Sequence, residues 1–510
     1  MVTVDAKQTM PHRTAGTLPD DGMLRAQQEW NAKPVSDRVA CIRKFRYAIA
    51  THAEELAAHI ELPQRGGLSE SLAAEIMPLA DACRFLERNA VKLLRPRHAA
   101  AADRPAWGRG LKVTVHREPV GTVLVIGTWN YPLFLTGVQT LQAIAAGNAV
   151  LIKPGAGTTK LTTFFRELLV QSGMPGGLVG ILPEDPEQAQ QVMDSGVGKV
   201  VFTGSAKTGK QVLERMSHTA TPGVMELSGS DAVFVMPDAD LSLAAKCVAF
   251  GLRINGSSTC IAPRRILVNE ASLPEFRERL RDEISGIPAA QVHPSAGKFA
   301  AELVQQALQA GAELVAPEQW RGWASGEEFP ATVLQLDKPR LSSTNEIGME
   351  LLRSDVFAPV ASLIPVTDME EALCIDTLCP YALGATVFGT QQAAERLARR
   401  IDAGCVVIND MIAPTADPRV PFGGRNESGF GVTRGAEGLL EMTQIKTVVT
   451  QTSGWLPHLD RPIPELGPLL LGFLKMNHSG TWRERWQAMQ GLMNSGRAWW
   501  NANRKGQTGS

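Results

Sequence analysis

The chain lacks the features that mark nucleic-acid-binding, secreted and membrane-spanning proteins. Its 510 residues carry a net charge of −1, which gives no support for nucleic-acid binding. It contains no run of about 18 apolar residues, so a transmembrane helix is not expected. Its first residues, MVTVDAKQTMPHRT, have no apolar core like that of a secretory signal. These absences together predict a cytoplasmic protein.

Cysteine is scarce, and the cysteine positions do not suggest a disulfide framework. The seven cysteines have an odd number and no repeated spacing, which argues against disulfides. The nine histidines form no pair at metal-ligand spacing, so no metal site is expected. One cysteine, Cys260, lies in NGSSTCIAPRR, among small polar residues and just before Arg264 and Arg265. Such a thiol would be reachable and held partly as thiolate; the alternative is a buried cysteine without a chemical role.

Alternating helix and strand patterns predict the fold. Helical periodicity fills residues 22–95, and from residue 120 to 227 short runs of valine, leucine and isoleucine alternate with helices. A second α/β pattern covers residues 231–413. Such alternation is typical of doubly wound parallel sheets, which bind ligands at the carboxyl ends of their strands. We therefore expect an α/β fold with a parallel-sheet cofactor domain and a second α/β catalytic domain.

The same patterns suggest domain boundaries. Residues 1–110 and 119–227 are assigned to the N-terminal helices and the cofactor domain, and residues 228–420 to the catalytic domain. LKVTVHREP (Leu111–Pro119) and IKTVVTQ (Ile445–Gln451) alternate apolar and polar residues and are predicted to pair in a small antiparallel patch. Residues 111–118 and 440–451 are therefore expected to serve oligomerisation, in a homodimer.

Polar and glycine-rich segments follow several predicted strands. Glu226 ends the strand VMEL before a tight turn; a carboxylate that activates water and a nucleophilic cysteine suffice to make and hydrolyse an acyl intermediate. Asn130, at a strand-to-helix corner, is either a helix N-cap or an amide donor to an oxyanion. The turn Gly204–Gly209 opens a helix. It would bring backbone N–H groups to a phosphate, but a purely structural turn explains it equally well.

These segments, in this order, resemble the aldehyde dehydrogenase superfamily over roughly residues 20–452. Their residue patterns are most similar to those of its class-three and fatty-aldehyde branch. The resemblance rests on PVGTVLVIGTWNYP, AGNAVLIKP, VVFTGSAKTGK, MELSG, STCIAPRR, VFAPV, and PFGG with SGFG. Each motif is modest, but seven in the family's order are specific. The resemblance implies NAD(P)-dependent oxidation of an aldehyde to a carboxylic acid.

The resemblance also implies a role for each site residue. Cys260 would attack the aldehyde carbonyl to give a thiohemiacetal, whose oxyanion the Asn130 amide and the Cys260 N–H would hold. Hydride would leave to the nicotinamide, and Glu226 would activate the water that hydrolyses the thioester. Lys153 would contact the adenosine ribose. The full set implied to bind NAD or NADP is Thr128, Trp129, Lys153, Gly204, Ser205, Gly209, Asp355 and Phe357.

Several positions depart from the family pattern. Ser257 and Ser258 replace the usual glycine and glutamine before the nucleophile, and ELGGK reads ELSGS. Asp355 replaces a glutamate that is one methylene longer. Ala156 stands where an acidic residue commonly follows the ribose lysine. Because a carboxylate there would repel a 2′-phosphate, its replacement predicts that NADP is tolerated.

Two other functions compete with this interpretation. A coenzyme-A-acylating reductase would use a similar fold, but such enzymes tend to lack the water-activating glutamate, and Glu226 is present. A non-catalytic relative acting as a scaffold would be expected to lose Cys260, Asn130 or Glu226, and all three are retained. The substrate is expected to be an apolar aldehyde of medium or long chain.

Residues 452–510 lie beyond the family motifs. They hold the apolar stretch GPLLLGFLKM (Gly467–Met476), which is too short to span a bilayer at about 1.5 Å per residue. Trp482, Trp486, Met489 and Met493 then recur at helical spacing among arginines. This pattern fits a helix packed on the protein, a helix docked on a partner, or an interfacial helix in peripheral contact with a membrane.

Overall fold

The computed structural model describes residues 19–105, 108, 110–336, 349–453, 456–459, 464 and 466–507. The chain divides into two compact units. One is made of the described residues up to Pro96 together with His116–Lys446, and the other of Arg97–Val115 together with the described residues from Thr447 onward.

The first unit begins with a layer of helices. Asp20 caps the first of them by accepting a hydrogen bond from the N–H of Met23 at 2.8 Å. A π-helical turn at Leu72–Ile76 separates two of the helices. Their apolar faces are buried around Trp30, Phe45 and Leu79. The helices are α1 (Asp21–Ala32), α2 (Val35–Thr51), α3 (Ala53–Ala58), α4 (Leu68–Ser71) and α5 (Met77–Leu94).

A six-stranded sheet forms the predicted cofactor domain. Its strands are β3 (Thr122–Ile126), β4 (Ala149–Lys153), β5 (Val179–Ile181), β6 (Lys199–Thr203), β7 (Gly223–Glu226) and β17 (Gly429–Phe430), in the order β17-β7-β6-β3-β4-β5. The strands from β7 to β5 are parallel. Residues of β3 and β4 such as Leu124 and Leu151 are fully buried, because helices cover both faces. The order reverses between β3 and β6, and this is where such sheets bind ligands.

Helices connect these strands and lie close to the lengths expected from the sequence. They are α6 (Phe134–Ala146), α7 (Thr159–Gln171), α8 (Pro186–Asp194) and α9 (Ala206–Thr219), and α16 (Gly435–Glu441) packs against α5 and α6. The glycine-rich segment before Thr433 contributes two short strands: β16 (Arg425–Asn426) pairs with β13 (Tyr381–Ala382), and β17 joins β7.

A seven-stranded sheet forms the predicted catalytic domain. Its strands are β8 (Asp231–Val235), β9 (Pro263–Asn269), β10 (Glu313–Ala316), β11 (Thr332–Gln335), β12 (Val360–Val366), β14 (Gly384–Phe388) and β15 (Cys405–Ile408). They follow the order β10-β11-β12-β9-β8-β14-β15, parallel except for β10. Helices α10 (Leu241–Arg253), α11 (Leu273–Ser285), α12 (Pro294–Gln309), α13 (Met349–Arg353), α14 (Met369–Asp376) and α15 (Gln391–Ala398) connect them. The predicted α/β fold with two parallel-sheet domains is confirmed.

The two segments predicted to pair lie in one small sheet. Strands β1 (Arg97–His98), β2 (Leu111–Pro119) and β18 (Thr443–Gln451) form a sheet in the order β1-β2-β18. The predicted pairing of the two alternating segments is thereby confirmed. β18 is the edge strand and is exposed along most of its length.

Two helices, α17 (Leu466–His478) and α18 (Trp482–Gln507), end the described chain. They pack on each other where α17 carries Gly472, since a Cβ at this position would lie 3.0 Å from Cγ of Leu492. Large apolar side chains on other faces are exposed, namely Leu470, Leu471, Leu474, Trp482, Trp486 and Met493. Within the described part of the chain, no helix has the length and apolar character needed to cross a bilayer.

Candidate active site

Cys260 lies in a strained loop between α10 and β9. Asn255, Gly256 and Ser257 adopt left-handed backbone conformations in succession, with φ of 52°, 56° and 59°. This conformation costs about 1 kcal/mol for a residue with a Cβ. Ser257 occupies the place of the family's usual glycine, so surrounding contacts must hold it there. Cys260 itself is half-buried and its thiol is free.

The basic pair after Cys260 supports the loop backbone. Nη2 of Arg264 donates to the Ser257 carbonyl at 2.6 Å, and its Nη1 donates to the Ser257 hydroxyl at 3.0 Å. Nε of Arg265 donates to the Ser230 carbonyl at 2.9 Å, and its Nη1 lies 2.8 Å from the carboxylate of Asp376. Both guanidinium groups are buried and engaged with protein acceptors, so they stabilise the loop.

The charges around Cys260 favour a neutral thiol. Burial raises the pKa of Cys260 well above its ordinary value, Glu226 and Asp231 raise it further, and Arg434 lowers it. The expectation that the downstream basic pair holds Cys260 partly as thiolate is therefore wrong. Arg434 is buried between two phenylalanine rings, 4.3 and 5.5 Å from their centroids. Sequence reasoning missed Arg434, for which the nearby SGFG motif was the available signal.

The amide of Asn130 is oriented toward the nucleophile loop. Its Nδ2 donates to the carbonyl of Ser258 at 2.8 Å, and its Oδ1 accepts from the Thr128 hydroxyl at 2.6 Å. These two partners determine the positions of the amide nitrogen and the amide oxygen. Since Nδ2 carries two hydrogens, one remains for an oxyanion formed at Cys260. The N-cap alternative is wrong, because α6 begins at Phe134 and its N-cap residue is Leu133.

A buried ion pair near the N-terminal helices positions Asn130 through its backbone carbonyl. Oε2 of Glu75 accepts from the N–H groups of Leu133 and Phe134 at 2.8 and 2.9 Å, and its Oε1 accepts from Arg65 Nη2 at 2.8 Å. The same Nη2 donates to the Asn130 carbonyl at 3.0 Å. Burial raises the pKa of Glu75 to about 7, against the attraction of Arg65. The helical periodicity of this part of the chain did not reveal that Glu75 supports the site. The available signal was a charged residue at an otherwise apolar position of a helix.

Glu226 is buried at the end of β7, with 2% of its surface exposed. Its Oε2 accepts a long hydrogen bond from Thr433 at 3.4 Å, and its Oε1 has no partner among the described residues. Burial raises the pKa of Glu226, while Arg434 and Thr433 oppose the rise. A Cβ on Gly229 would lie 2.3 Å from the Cys260 carbonyl. The turn after Glu226 therefore packs on the nucleophile loop, and the structure brings the two predicted catalytic residues together.

Lys153 ends β4 at the ligand-binding edge of the six-stranded sheet. Its ammonium group makes no hydrogen bond or ion pair within the described residues, and burial lowers its pKa. The backbone is tightly folded here, since a Cβ on Gly155 would lie 2.4 Å from the Thr128 carbonyl. A half-buried cation without a partner, beside a strand end, fits the hydroxyl and phosphate oxygens of a dinucleotide.

The turn Gly204–Gly209 is explained largely by packing. The N–H of Gly204 donates to the Glu226 carbonyl at 3.0 Å, and a Cβ on Gly209 would lie 2.4 Å from the side chain of Leu227. Ser205 caps α9 with its hydroxyl. These contacts join the turn to β7, and a role in binding pyrophosphate stays a prediction.

Asp355 lies close to a residue that also departs from the family pattern. Burial raises the pKa of Asp355 to about 6, while the Ser228 hydroxyl, from ELSGS, and Arg264 oppose the rise. The same hydroxyl accepts from the N–H of Ala206 at 3.0 Å. The two departures therefore influence each other.

The aromatic residues assigned to the cofactor lie together. The rings of Trp129 and Phe357 have their centroids 6.2 Å apart, and Trp129 also contacts His293 at 6.1 Å. Both Trp129 and Phe357 are half-buried. The side chain of Thr128 is bonded to Asn130, so a cofactor contact from Thr128 would come from its backbone.

The chain is similar to aldehyde-oxidising proteins over most of its length. The model of the aldehyde dehydrogenase family matches residues 21–448. The chain is 28% identical over 479 residues to a 4,4'-diapolycopene aldehyde oxidase of a Methylomonas species, covering 90% of this chain and 89% of that protein. It is 30% identical over 438 residues to a putative succinate-semialdehyde dehydrogenase (NADP+) 2 of Mycobacterium ulcerans, with coverage of 83% and 82%. A solved NAD-dependent aldehyde dehydrogenase from Sinorhizobium meliloti superposes with a TM-score of 0.76 at 26% identity, covering 87% and 86%.

Proposed function

Because this chain belongs to the aldehyde dehydrogenase family and is an NAD(P)-dependent enzyme, we propose that it oxidises an apolar aldehyde to a carboxylic acid through a thioester on Cys260. The observation that carries the proposal is Glu226. Its carboxylate is buried, has one oxygen without a partner among the described residues, and raises the pKa of the Cys260 thiol. A buried carboxylate oxygen without a partner lowers the stability of the fold. Its presence is explained if it binds water or substrate during the reaction.

The residues of the chain divide the work in two stages. In the first, the Cys260 thiol gives up its proton to solvent as its sulfur adds to the aldehyde carbon, and the Asn130 amide with the Cys260 N–H stabilises the oxygen that becomes negative. NAD or NADP, when bound, accepts the hydride from this carbon. In the second, Glu226 takes a proton from water as the water adds to the thioester, and the thiol of Cys260 leaves.

An apolar aldehyde suits the site better than one that carries a carboxylate. A relative is named for 4,4'-diapolycopene aldehyde, a polyene hydrocarbon, and another for succinate semialdehyde, which is anionic. An anionic substrate would need a free cation. Each buried guanidinium group around the site donates to at least one protein acceptor, although Nε of Arg65 and Nε of Arg434 have no partner among the described residues. These groups belong to Arg65, Arg264, Arg265 and Arg434. Because these cations are already engaged with protein acceptors, an uncharged medium- or long-chain substrate, as in the fatty-aldehyde branch, fits the site.

The test is a panel of aldehydes incubated with the purified protein and NAD or NADP, followed by the absorbance of the reduced cofactor. We expect kcat/KM for decanal to exceed that for succinic semialdehyde by about tenfold or more, because a desolvated carboxylate finds no partner. Failure to reduce either cofactor with any aldehyde would contradict the proposal. Turnover that requires coenzyme A would favour the acylating alternative.

We also propose that the protein is a homodimer formed at β18. This edge strand exposes Ile445 and Val449, with 60% and 57% of their surface accessible. The unpaired backbone groups of an exposed edge are a ready site for pairing with a second copy. Measuring the mass of the intact protein in solution tests this proposal. A monomeric mass would contradict it.

The exposed apolar residues of α17 and α18 support a peripheral contact with membranes. The rings of Trp482 and Trp486 stack at 5.7 Å and are exposed, and tryptophan binds favourably at headgroup depth. We expect the intact protein to co-sediment with anionic liposomes, and Trp482→Ser with Trp486→Ser to remove most of the binding. A matched control replaces two exposed aromatics elsewhere, Tyr47 and Phe299, with serine. Equal sedimentation of the two variants would favour a protein partner or packing on the chain itself.

A further inference from the structure

A carboxylate from another strand lies at the nucleotide edge of the sheet. β5 runs parallel to β4, with Ile152 paired to Ile181, so both strands deliver their next residues to the same edge. Lys153 is the last residue of β4, and Glu184 lies three residues after the end of β5. Burial lowers the pKa of Lys153, and Glu184 is the strongest influence against this shift. The two side chains therefore act on each other at the point where such sheets bind a nucleotide ribose.

Glu184 is fixed across the turn that contains Ala156. Its Oε2 accepts from the N–H of Gly157 at 2.8 Å, and its Oε1 accepts from the hydroxyl and the N–H of Thr159 at 2.6 and 3.1 Å. The hydrogen bond from the Thr159 hydroxyl is the main cause of a lowered pKa of Glu184, followed by that from Gly157. The carboxylate is therefore ionised and cannot swing away without losing these bonds. Ala156, which directly precedes Gly157, is exposed.

We propose that Glu184 supplies the carboxylate that Ala156 lacks, and that it makes the enzyme prefer NAD over NADP. The inference rests on the proposed function, in which Lys153 contacts the adenosine ribose. A fixed carboxylate beside that ribose accepts a hydrogen bond from a 2′-hydroxyl and repels a 2′-phosphate. This reverses the tolerance of NADP expected from Ala156 alone. Local sequence spacing could not reveal Glu184, because it comes from the next strand.

The test measures cofactor binding by titration calorimetry on the intact protein, without aldehyde. We expect the protein to bind NAD about tenfold or more tightly than NADP. In Glu184→Gln, the Kd for NADP should fall by about tenfold, while the Kd for NAD changes by less than about threefold. The control is Asp240→Asn, which removes one charge from a helix cap of the other sheet, where Asp240 accepts from the N–H of Leu243 at 3.0 Å. It should leave both constants unchanged.

A second variant acts in the opposite direction and breaks no hydrogen bond. Ala156→Glu adds a carboxylate to the exposed turn and should weaken NADP binding further. A protein that binds NADP more tightly than NAD, or a ratio of constants unmoved by both Glu184→Gln and Ala156→Glu, would overturn the inference. Binding of neither cofactor would instead count against the proposed function, so the two failures are distinguishable.

Discussion

Cys260→Ala abolishes aldehyde oxidation and leaves the fold intact. The covalent route is lost with the sulfur, and the oxyanion donors alone cannot complete hydride release, so we expect a loss of at least about 10⁴-fold in kcat. The change removes a single atom from a half-buried side chain, so the cost in stability should stay within about 1 kcal/mol. Steady-state turnover and the melting temperature are the two measurements.

The matched control is Cys405→Ala. Cys405 is also half-buried and free, and Arg434 acts on its pKa as it does on that of Cys260. It lacks a buried glutamate acting on its thiol, and its replacement should therefore leave turnover within about threefold of the unmodified protein. More than a trace of activity in Cys260→Ala, or an equal loss in both variants, would remove Cys260 from the nucleophile role.

Glu226→Gln separates the two stages of the reaction. The amide has nearly the same shape but cannot take a proton from water, so hydrolysis should slow by about 10²- to 10⁴-fold while formation of the thioester is spared more. Rapid mixing should show a burst of one reduced cofactor per subunit, followed by slow turnover. Cys260→Ala in the same background should remove the burst. An unchanged steady-state rate would assign the base to another residue.

The pH dependence gives a second check on Glu226. A base must be ionised to act, and burial raises the pKa of Glu226. The hydrolytic rate should therefore fall as the pH drops through that raised value, at a higher pH than for an ordinary glutamate. The slow phase of Glu226→Gln should lack this limb. The same shift implies that the ionised carboxylate destabilises the fold above the raised pKa and that this cost disappears below the unfolded value, so the variant should melt higher at alkaline pH.

The elements that could be predicted from the sequence are those with a strong local pattern. The short apolar runs between residues 120 and 227 coincide with strands such as β6, and the helical periodicity of residues 22–95 coincides with α1 to α5. Buried parallel strands and amphipathic helices are recognisable because their periodicity is present in adjacent residues. β10, β11 and β17 were missed. Each has four residues or fewer and forms through partners that are remote in the chain, so no local period marks it.

The candidate site divides in the same way. Cys260, Glu226 and Asn130 lie in short motifs and could be singled out, although their roles stay predictions. Arg65, Glu75 and Arg434 act on them from other segments of the chain, and a buried charge is recognised only once its surroundings are known. Ser257 looked like a departure that weakens the site. Its left-handed backbone and its bonds to Arg264 instead make it a strained position that the fold supports.

The neutral resting state of the Cys260 thiol also bears on how the protein withstands oxidants. Peroxides and alkylating reagents react with the thiolate, and a reachable cysteine is damaged in proportion to the fraction that is ionised. Cys260 has to be reachable for an aldehyde, so steric shielding cannot protect it. Burial raises the pKa of Cys260, and the carboxylates of Glu226 and Asp231 raise it further. We therefore expect the thiol to react slowly with oxidants between turnovers.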